Sequence, residues 1–170
     1  MSKYQLPFTS RNVVELGGDL VKPNFRPNLN MMPGPAVDTI ADFNDPLPLE
    51  SGRYDGIFSM YVIEHVKHRK LRHFIAECHR ILRPGGYAVF FTANLLAQCE
   101  RVVRRAAEGT FNDEDVHMIF AGDPDWVGNY HVTGFTPDWA VKLFQEAGFS
   151  EVNIVEHPQT VTDMIIEAKK

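Results

Sequence analysis

The middle of the chain combines two kinds of hydrophobic pattern and constrains the fold more than any other part. A short apolar run at 56–60 precedes a segment, 70–82, in which apolar side chains recur every three or four positions. That spacing predicts a helix with one buried face. Gly85 and Gly86 then reverse the chain, and the apolar run 87–92 is typical of a strand buried on both faces. A strand–helix–strand unit of this kind predicts parallel strands.

Composition limits the class of protein. The chain has 170 residues, 44% hydrophobic and 23% charged, which suits one globular domain spanning 1–170. No apolar run approaches the roughly 20 residues that cross a bilayer, and no signal-peptide pattern opens the chain. We therefore expect a cytoplasmic protein with no membrane partner. A net charge of −5 argues against nucleic acid as the partner. Cys78 and Cys99 are expected to be buried free thiols.

Two motifs in the central unit resemble the class I S-adenosylmethionine-dependent methyltransferases, and their small-molecule branch most closely. One is Asp55 followed by V-I-E-H-V at 62–66, and the other is L-R-P-G-G at 82–86. Weaker similarity extends from about Val13 to Lys169. The resemblance implies a Rossmann-like α/β fold, with a mostly parallel sheet of seven strands that ends in an antiparallel hairpin.

The region after the first predicted strand departs from the family. Most members place a helix there, but Pro23 and Pro27 disfavour one, since proline inside a helix costs about 3 kcal/mol. We expect this first helix to be shortened or missing. Asp19 stands where the family has its second glycine, and Asn30 stands where it has the acidic residue that binds both ribose hydroxyls.

The resemblance implies that S-adenosylmethionine lies across the carboxyl ends of the parallel strands. A turn without side chains lets backbone N–H groups approach the methionine end of the cofactor. In the family an acidic residue after the third strand binds the adenine amino group, and Asp42 matches it. The residues predicted to bind the cofactor are Glu15, Gly17, Gly18, Asp19, Asn30, Met31, Asp42, Phe43, Met60 and Tyr61.

The stretch 110–134 is long, polar and aromatic, and we predict that it is an irregular substrate lid, because such loops are uncommon unless functional. The residues predicted to bind substrate are Asn94, His117, Trp126 and Tyr130. His131 is the first candidate for a base that takes the proton of the acceptor, and His65 is the second, since histidine is matched to neutral pH. Alternatively, these histidines only fix the loop or orient substrate.

A metal site is not expected. Ubiquinone-pathway O-methyltransferases can hold a divalent metal on a related Glu-x-x-Glu-His cluster. Tyr61 replaces the first glutamate here, which leaves Glu64 and His65, too few ligands for an oxygen-rich site. Glu64 is instead expected to cap or brace the helix that follows it.

The flanking segments complete the predicted architecture. Residues 1–10 are expected to form a poorly fixed arm. Residues 95–107 predict an amphipathic helix whose arginines form a solvated face. Thr136 and Pro137 predict the start of the last helix, and alternation at 152–155 and 162–168 predicts the closing hairpin.

The predicted function is transfer of a methyl group from S-adenosylmethionine to an oxygen or nitrogen atom of a small organic acceptor, a metabolite or sugar-like molecule. One alternative is a non-catalytic cofactor- or metabolite-binding module on the same fold, suggested by Asp19, Asn30 and the missing helix. Another is a nicotinamide-dependent oxidoreductase, which the absence of G-x-G-x-x-G disfavours. A homodimer is left open.

Overall fold

One seven-stranded sheet organises the molecule. The computed structural model describes residues 4–10, 12–120 and 129–170. The strands are β1 Val13–Leu16, β2 Asn28–Asn30, β3 Thr39–Ile40, β4 Tyr54–Met60, β5 Leu82–Ala93, β6 Glu151–Glu156 and β7 Asp163–Lys169. Their order is β3-β2-β1-β4-β5-β7-β6. β1 to β5 pair in parallel, whereas β7 is antiparallel to both β5 and β6. The predicted Rossmann-like sheet with a closing hairpin is confirmed.

Four α-helices are described. They are α1 Leu71–Ile81, α2 Leu95–Ala107, α3 Asp113–Phe120 and α4 Pro137–Glu146. α3 lies within the stretch that the sequence predicted to be irregular, so that prediction is wrong for 113–120. Trp126, a predicted substrate contact, lies outside the described residues. Within the described ranges, no helix combines the length and the hydropathy that crossing a membrane requires.

One face of the sheet carries α1 and α4. Every second side chain of the central strands points to this face, as expected for strands, and packs against the apolar faces of the two helices. Phe90 of β5 lies between Phe74 of α1 and Phe144 of α4, with ring centroids 6.1 and 5.5 Å away. The predicted buried face of α1 is confirmed, including Cys78, which is completely buried.

The opposite face is covered by chain without regular structure. Residues 17–27, between β1 and β2, contain no helix, as Pro23 and Pro27 predicted, and residues 31–53 contain none either. The aromatic side chains of Tyr4, Phe8 and Phe25 instead pack on Phe58 and Phe91 of the sheet. The expectation of a poorly fixed arm is therefore wrong for residues 4–10. Tyr4, Leu6 and Phe8 are spaced two residues apart, and this alternation is a sequence signal that could have predicted that residues 4–8 pack on the sheet.

Glu15 holds the segment that replaces the first helix. Its side chain is buried in the middle of β1, with 2% exposed. The carboxylate accepts hydrogen bonds from Asn24 Nδ2 at 2.9 Å and from the backbone N–H of Phe25 at 2.7 Å. These bonds fix the irregular segment where it crosses the sheet, and so they position Phe25 against Phe58.

α2 and α3 join through polar contacts. Asp115 of α3, which is buried, forms ion pairs with the Nε atoms of Arg101 and Arg105 at 3.1 and 3.2 Å. These two arginines are therefore not the solvated face that the sequence predicted. Since α2 turns its polar side to α3, its predicted apolar side is open, and Cys99 is exposed rather than buried.

Candidate functional site

The turn after β1 needs glycine at both positions. Gly17 has a φ of +73°, which favours glycine, and a Cβ there would lie 2.2 Å from Cγ2 of Val62. A Cβ on Gly18 would lie 2.6 Å from Cδ of Glu15. Packing of the turn against the protein's own side chains is therefore one reason for these glycines. Their backbone still ends at the carboxyl edge of the sheet, as the cofactor prediction requires.

Asn30 ties the end of β2 to this turn. Its Nδ2 donates to the carbonyl of Gly18 at 2.9 Å, and its Oδ1 accepts from the N–H of Met32 at 3.0 Å. An amide has two donor hydrogens and two acceptor lone pairs, so one of each remains. Asn30 is thus able to bind a ribose hydroxyl, but less strongly than the carboxylate usual in the family.

Asp42 presents a charged carboxylate at the end of β3. Its Oδ1 accepts from the backbone N–H of Asn44 at 2.9 Å and from Asn44 Nδ2 at 2.7 Å. The Asn44 N–H groups lower the pKa of the Asp42 carboxyl, with a smaller contribution from Lys67 and Lys70. Oδ2 forms no hydrogen bond with the described residues, so it is available to accept a hydrogen bond from an amino group of a ligand.

Other predicted cofactor contacts have different surroundings. The prediction of direct contact is not supported for Glu15, which binds Phe25, or for Phe43, which is buried against Phe74 with ring centroids 5.7 Å apart. Asp19 is exposed and accepts from the N–H groups of the next turn, which lower its pKa. The side chains of Met31 and Met60 are exposed at the carboxyl edge, where a flat apolar ligand could cover them.

Tyr61 follows β4 in a left-handed conformation. Its φ is +53°, a region that non-glycine residues rarely adopt and that costs roughly 1–2 kcal/mol. The backbone N–H donates to the carbonyl of Phe91 at 2.8 Å, and the hydroxyl donates to Oδ2 of Asp163 at 2.9 Å. Burial, followed by the charge of Asp163, raises the pKa of the Tyr61 phenol. Tyr61 is therefore a neutral donor fixed by β5 and β7.

Glu64 is a buried carboxyl group. Only 1% of the residue is exposed, and neither carboxyl oxygen forms a hydrogen bond of normal geometry with any described residue. Burial raises its pKa to about 7, and the charge of Asp163 adds to the effect, while the nearby Thr92 and Ala93 partly offset it. The expectation that Glu64 braces the helix through hydrogen bonds is wrong.

Two histidines lie beside Glu64. His65 Nδ1 is 3.0 Å from the carbonyl oxygen of Tyr130. Because a carbonyl only accepts, Nδ1 carries the proton and Nε2 has the free lone pair. The ring centroids of His65 and His131 are 5.2 Å apart. Burial lowers the pKa of both rings, so both are neutral at pH 7.

The segment around His131 is docked onto the turn that follows β4. The N–H groups of Val132 and Thr133 donate to the carbonyl of Glu64 at 3.0 and 3.1 Å, and Thr133 Oγ1 donates to the carbonyl of Val66 at 3.0 Å. As a result, the side chains of Glu64, His65 and His131 come together. One carboxylate oxygen or imidazole nitrogen of each residue lies within 4.8 Å of those of the other two. The sequence named both histidines but could not place them together, since 65 residues separate them.

The other predicted lid residues contribute less. His117 is exposed on α3 and is not part of the cluster. The side chain of Tyr130 is 54% exposed, and its backbone carbonyl is the group that orients His65.

A cavity of about 300 Å³ opens where β7 begins, and it is connected to the end of β4 through the hydrogen bond between Asp163 and Tyr61. Asn94, predicted to bind substrate, lines it, and its side chain also accepts a bond from the N–H of Ala97. Asp163 and His157 line the same cavity and were missed. Their place depends on the β5–β7 register, in which Ala93 pairs with Asp163, and no local pattern encodes that register.

Comparison with known protein families gives a match over part of the chain. Residues 23–90 match the family model described as a methyltransferase domain. Comparison with curated protein sequences gives no match.

Solved structures with the same fold are numerous. One is a S-adenosylmethionine-dependent methyltransferase of Thermotoga maritima, described as a possible histamine N-methyltransferase, with 16% identity and a TM-score of 0.58 over 94% of this chain and 82% of that one. One from Archaeoglobus fulgidus has 12% identity and a TM-score of 0.61 over 93% and 85%. The 1,6-didemethyltoxoflavin-N1-methyltransferase of Burkholderia thailandensis, solved with S-adenosylhomocysteine, has 13% identity and a TM-score of 0.56 over 93% and 70%. At these identities the similarity establishes the shared fold.

Proposed function

We propose that the chain is a class I S-adenosylmethionine-dependent methyltransferase that methylates an oxygen or nitrogen atom of a small organic acceptor. The observation that carries this proposal is the cavity beside Asn94 and Asp163 at the carboxyl end of β5. Asp163 accepts a hydrogen bond from the Tyr61 hydroxyl at the end of β4, and its charge also acts on Glu64. Open α/β sheets bind their ligands at this edge. A volume of about 300 Å³ suits a small molecule.

We expect the residues at the carboxyl edge to bind the cofactor, but with lower affinity than in most members of the family. Asp42 offers a free carboxylate oxygen for the adenine amino group. Asn30 offers one donor and one acceptor for the ribose. Met31 and Met60 offer exposed apolar surface that the adenosyl group would cover. S-adenosylmethionine, when bound, supplies a methyl group on a sulfonium centre that is ready for displacement.

The protein contributes position and proton removal. An acceptor in the cavity would meet the Tyr61–Asp163 pair and Asn94, which can orient it through hydrogen bonds. An acceptor hydroxyl must lose its proton during transfer, and His131 is the first group at which this would occur, with His65 the second. Both rings are neutral and half-buried, which is the state that a proton acceptor requires.

Asp42 is expected to control cofactor affinity. The Asp42→Asn variant keeps an oxygen for Asn44 but places an NH₂ group where the adenine amino group would donate. Because hydrogen bonds to charged groups contribute about 1.5–3 kcal/mol, the Kd for S-adenosylhomocysteine should rise roughly ten- to a hundredfold. Isothermal titration measures this change. Asp45→Asn, an exposed neighbour, is the matched control, and an equal effect of both substitutions would argue against adenine binding at Asp42.

Turnover separates catalysis from mere binding. The non-catalytic alternative is supported by Asn30 and Glu15, whose side chains serve internal contacts that differ from the family pattern. We expect the purified chain to consume S-adenosylmethionine in the presence of a metabolite collection and to release S-adenosylhomocysteine. Binding of both cofactor forms without turnover of any acceptor would favour the alternative.

A further inference from the structure

We propose that Glu64, His65 and His131 bind a divalent transition-metal ion of the Zn²⁺ type. The site itself does not depend on methyl transfer. Its use in catalysis rests on the proposed function, in which the ion would bind the acceptor oxygen and favour its deprotonated form. The histidines would then act as ligands and not as bases, and the acceptor hydroxyl, made more acidic by the ion, would lose its proton to solvent.

The distances between the donor atoms carry the first part of the argument. One donor atom from each of the three residues lies within 4.8 Å of the other two. Around an ion with bonds of about 2.0–2.2 Å, neighbouring ligand atoms are roughly 3–3.5 Å apart. Closure would therefore need movements of about 1 Å, which side-chain rotation can supply.

The orientation of His65 is the second part. Its Nδ1 donates to the carbonyl of Tyr130 at 3.0 Å, which fixes the ring and leaves the Nε2 lone pair for a ligand. Histidines that bind metals almost always donate their other N–H to a carbonyl, a carboxylate or water. The contacts of Val132 and Thr133 with Glu64 hold the segment of His131 in the same region.

The state of Glu64 is the third and independent part. A buried carboxyl group without a hydrogen-bond partner is costly, and native proteins rarely keep one without a reason. Only 1% of Glu64 is exposed, and neither of its oxygens accepts a hydrogen bond of normal geometry from the residues that the structure describes, although Thr92 and Ala93 lie nearby. A cation between the carboxylate and the two imidazoles would satisfy this group.

The donor set selects the type of ion. Mg²⁺ and Ca²⁺ prefer oxygen ligands, whereas imidazole nitrogen suits zinc, iron, cobalt and nickel. Two histidines and one glutamate leave at least one coordination position open, as in catalytic zinc sites. The expectation of no metal counted only Glu64 and His65 as ligands, and His131 supplies the third.

Titration of the untagged full chain with Zn²⁺ and Co²⁺, without S-adenosylmethionine, tests the site. We expect one ion per chain and, with Co²⁺, visible absorption bands of a nitrogen- and oxygen-bound ion. His131→Ala and Glu64→Gln should each weaken Zn²⁺ binding at least tenfold and alter the Co²⁺ spectrum. His117→Ala, an exposed histidine outside the cluster, is the matched control and should bind as the wild type does. Circular dichroism verifies that each variant is folded.

Two outcomes would overturn the site. One is the absence of stoichiometric binding by the folded wild-type chain. The other is binding that His131→Ala and Glu64→Gln reduce no more than His117→Ala does, which would identify adventitious surface binding. Because no cofactor is present, these results are separate from methyl transfer. Metal binding without turnover would retain the site and reject the proposed function, whereas metal binding with turnover that the metal does not affect would retain the site and reject its use in catalysis.

Discussion

Replacing Glu15 by alanine is expected to lower the free energy of unfolding by about 3 kcal/mol or more. The substitution would leave the N–H of Phe25 and the amide of Asn24 without the carboxylate that they now bind. It would also leave a cavity in β1 and release Phe25 from its contact with Phe58, whose ring centroid is 5.3 Å away. The residues between β1 and β4 contain no helix. No helix can therefore compensate for the lost hydrogen bonds of Glu15 and the lost packing of Phe25.

Urea unfolding at pH 7 measures this effect, with two reference variants. Glu15→Gln retains one acceptor oxygen and should lose roughly half as much stability. Glu50→Ala removes a glutamate whose side chain is 79% exposed and whose ion pair with Arg53 is 3.5 Å long, so it should change stability by no more than about 0.5 kcal/mol. A Glu15→Ala variant as stable as Glu50→Ala would contradict the role of Glu15 in replacing the first helix.

The second large effect is expected at Glu77. Its Oε2 accepts from the N–H of Leu47 at 2.9 Å, and both oxygens accept from the Arg80 guanidinium at 2.7 and 2.8 Å. Arg80 in turn donates to the carbonyl of Leu49 at 2.8 Å. This brace joins α1 to the segment between β3 and β4. We expect Glu77→Ala to cost about 2–3 kcal/mol, because it leaves a buried N–H and an arginine without their partner.

Acid should remove the same stabilisation in the wild type. The Arg80 hydrogen bonds hold the pKa of the Glu77 carboxyl below its usual value of 4.5. The unfolded chain thus binds the proton more readily, so the contribution of Glu77 is complete above the usual pKa and is lost as the pH falls through the folded pKa. In urea unfolding, wild type and Glu77→Gln should differ at pH 7 and converge as the pH falls below the lowered pKa of Glu77. A constant difference would show that the charge of Glu77 is irrelevant.

The part of the fold that sequence predicts well is the part set by local pattern. α1 buries one face and β5 buries two, so the apolar residues of each recur at a regular spacing that identifies the element from sequence. α2 shows the limit of this reasoning. Its apolar side chains suggested burial, yet Asp115 draws Arg101 and Arg105 inward and leaves Cys99 exposed. A buried ion pair between two helices depends on how the helices pack together, and the spacing of apolar residues along one helix does not predict that packing.

The candidate site divides in the same way. Asp42 and Tyr61 follow strands directly, so motif position alone located them at the carboxyl edge. Asp163 reaches that edge only through the β7 register, and His131 reaches His65 only because Thr133 binds the turn after β4. Glu15 was located correctly but given the wrong partner, since a family motif records a position and not the hydrogen bonds that this chain makes there.

The most direct test of the central claim is a crystal structure of the chain with S-adenosylhomocysteine. The proposed site predicts the nucleoside across the carboxyl ends of β1, β2 and β4, with its adenine amino group at Asp42 and its ribose at Asn30. The homocysteine sulfur should face the cavity beside Asp163. Density for the ligand at another place, or an edge closed by Val62 and Met60 with no ligand bound at saturating concentration, would contradict the claim.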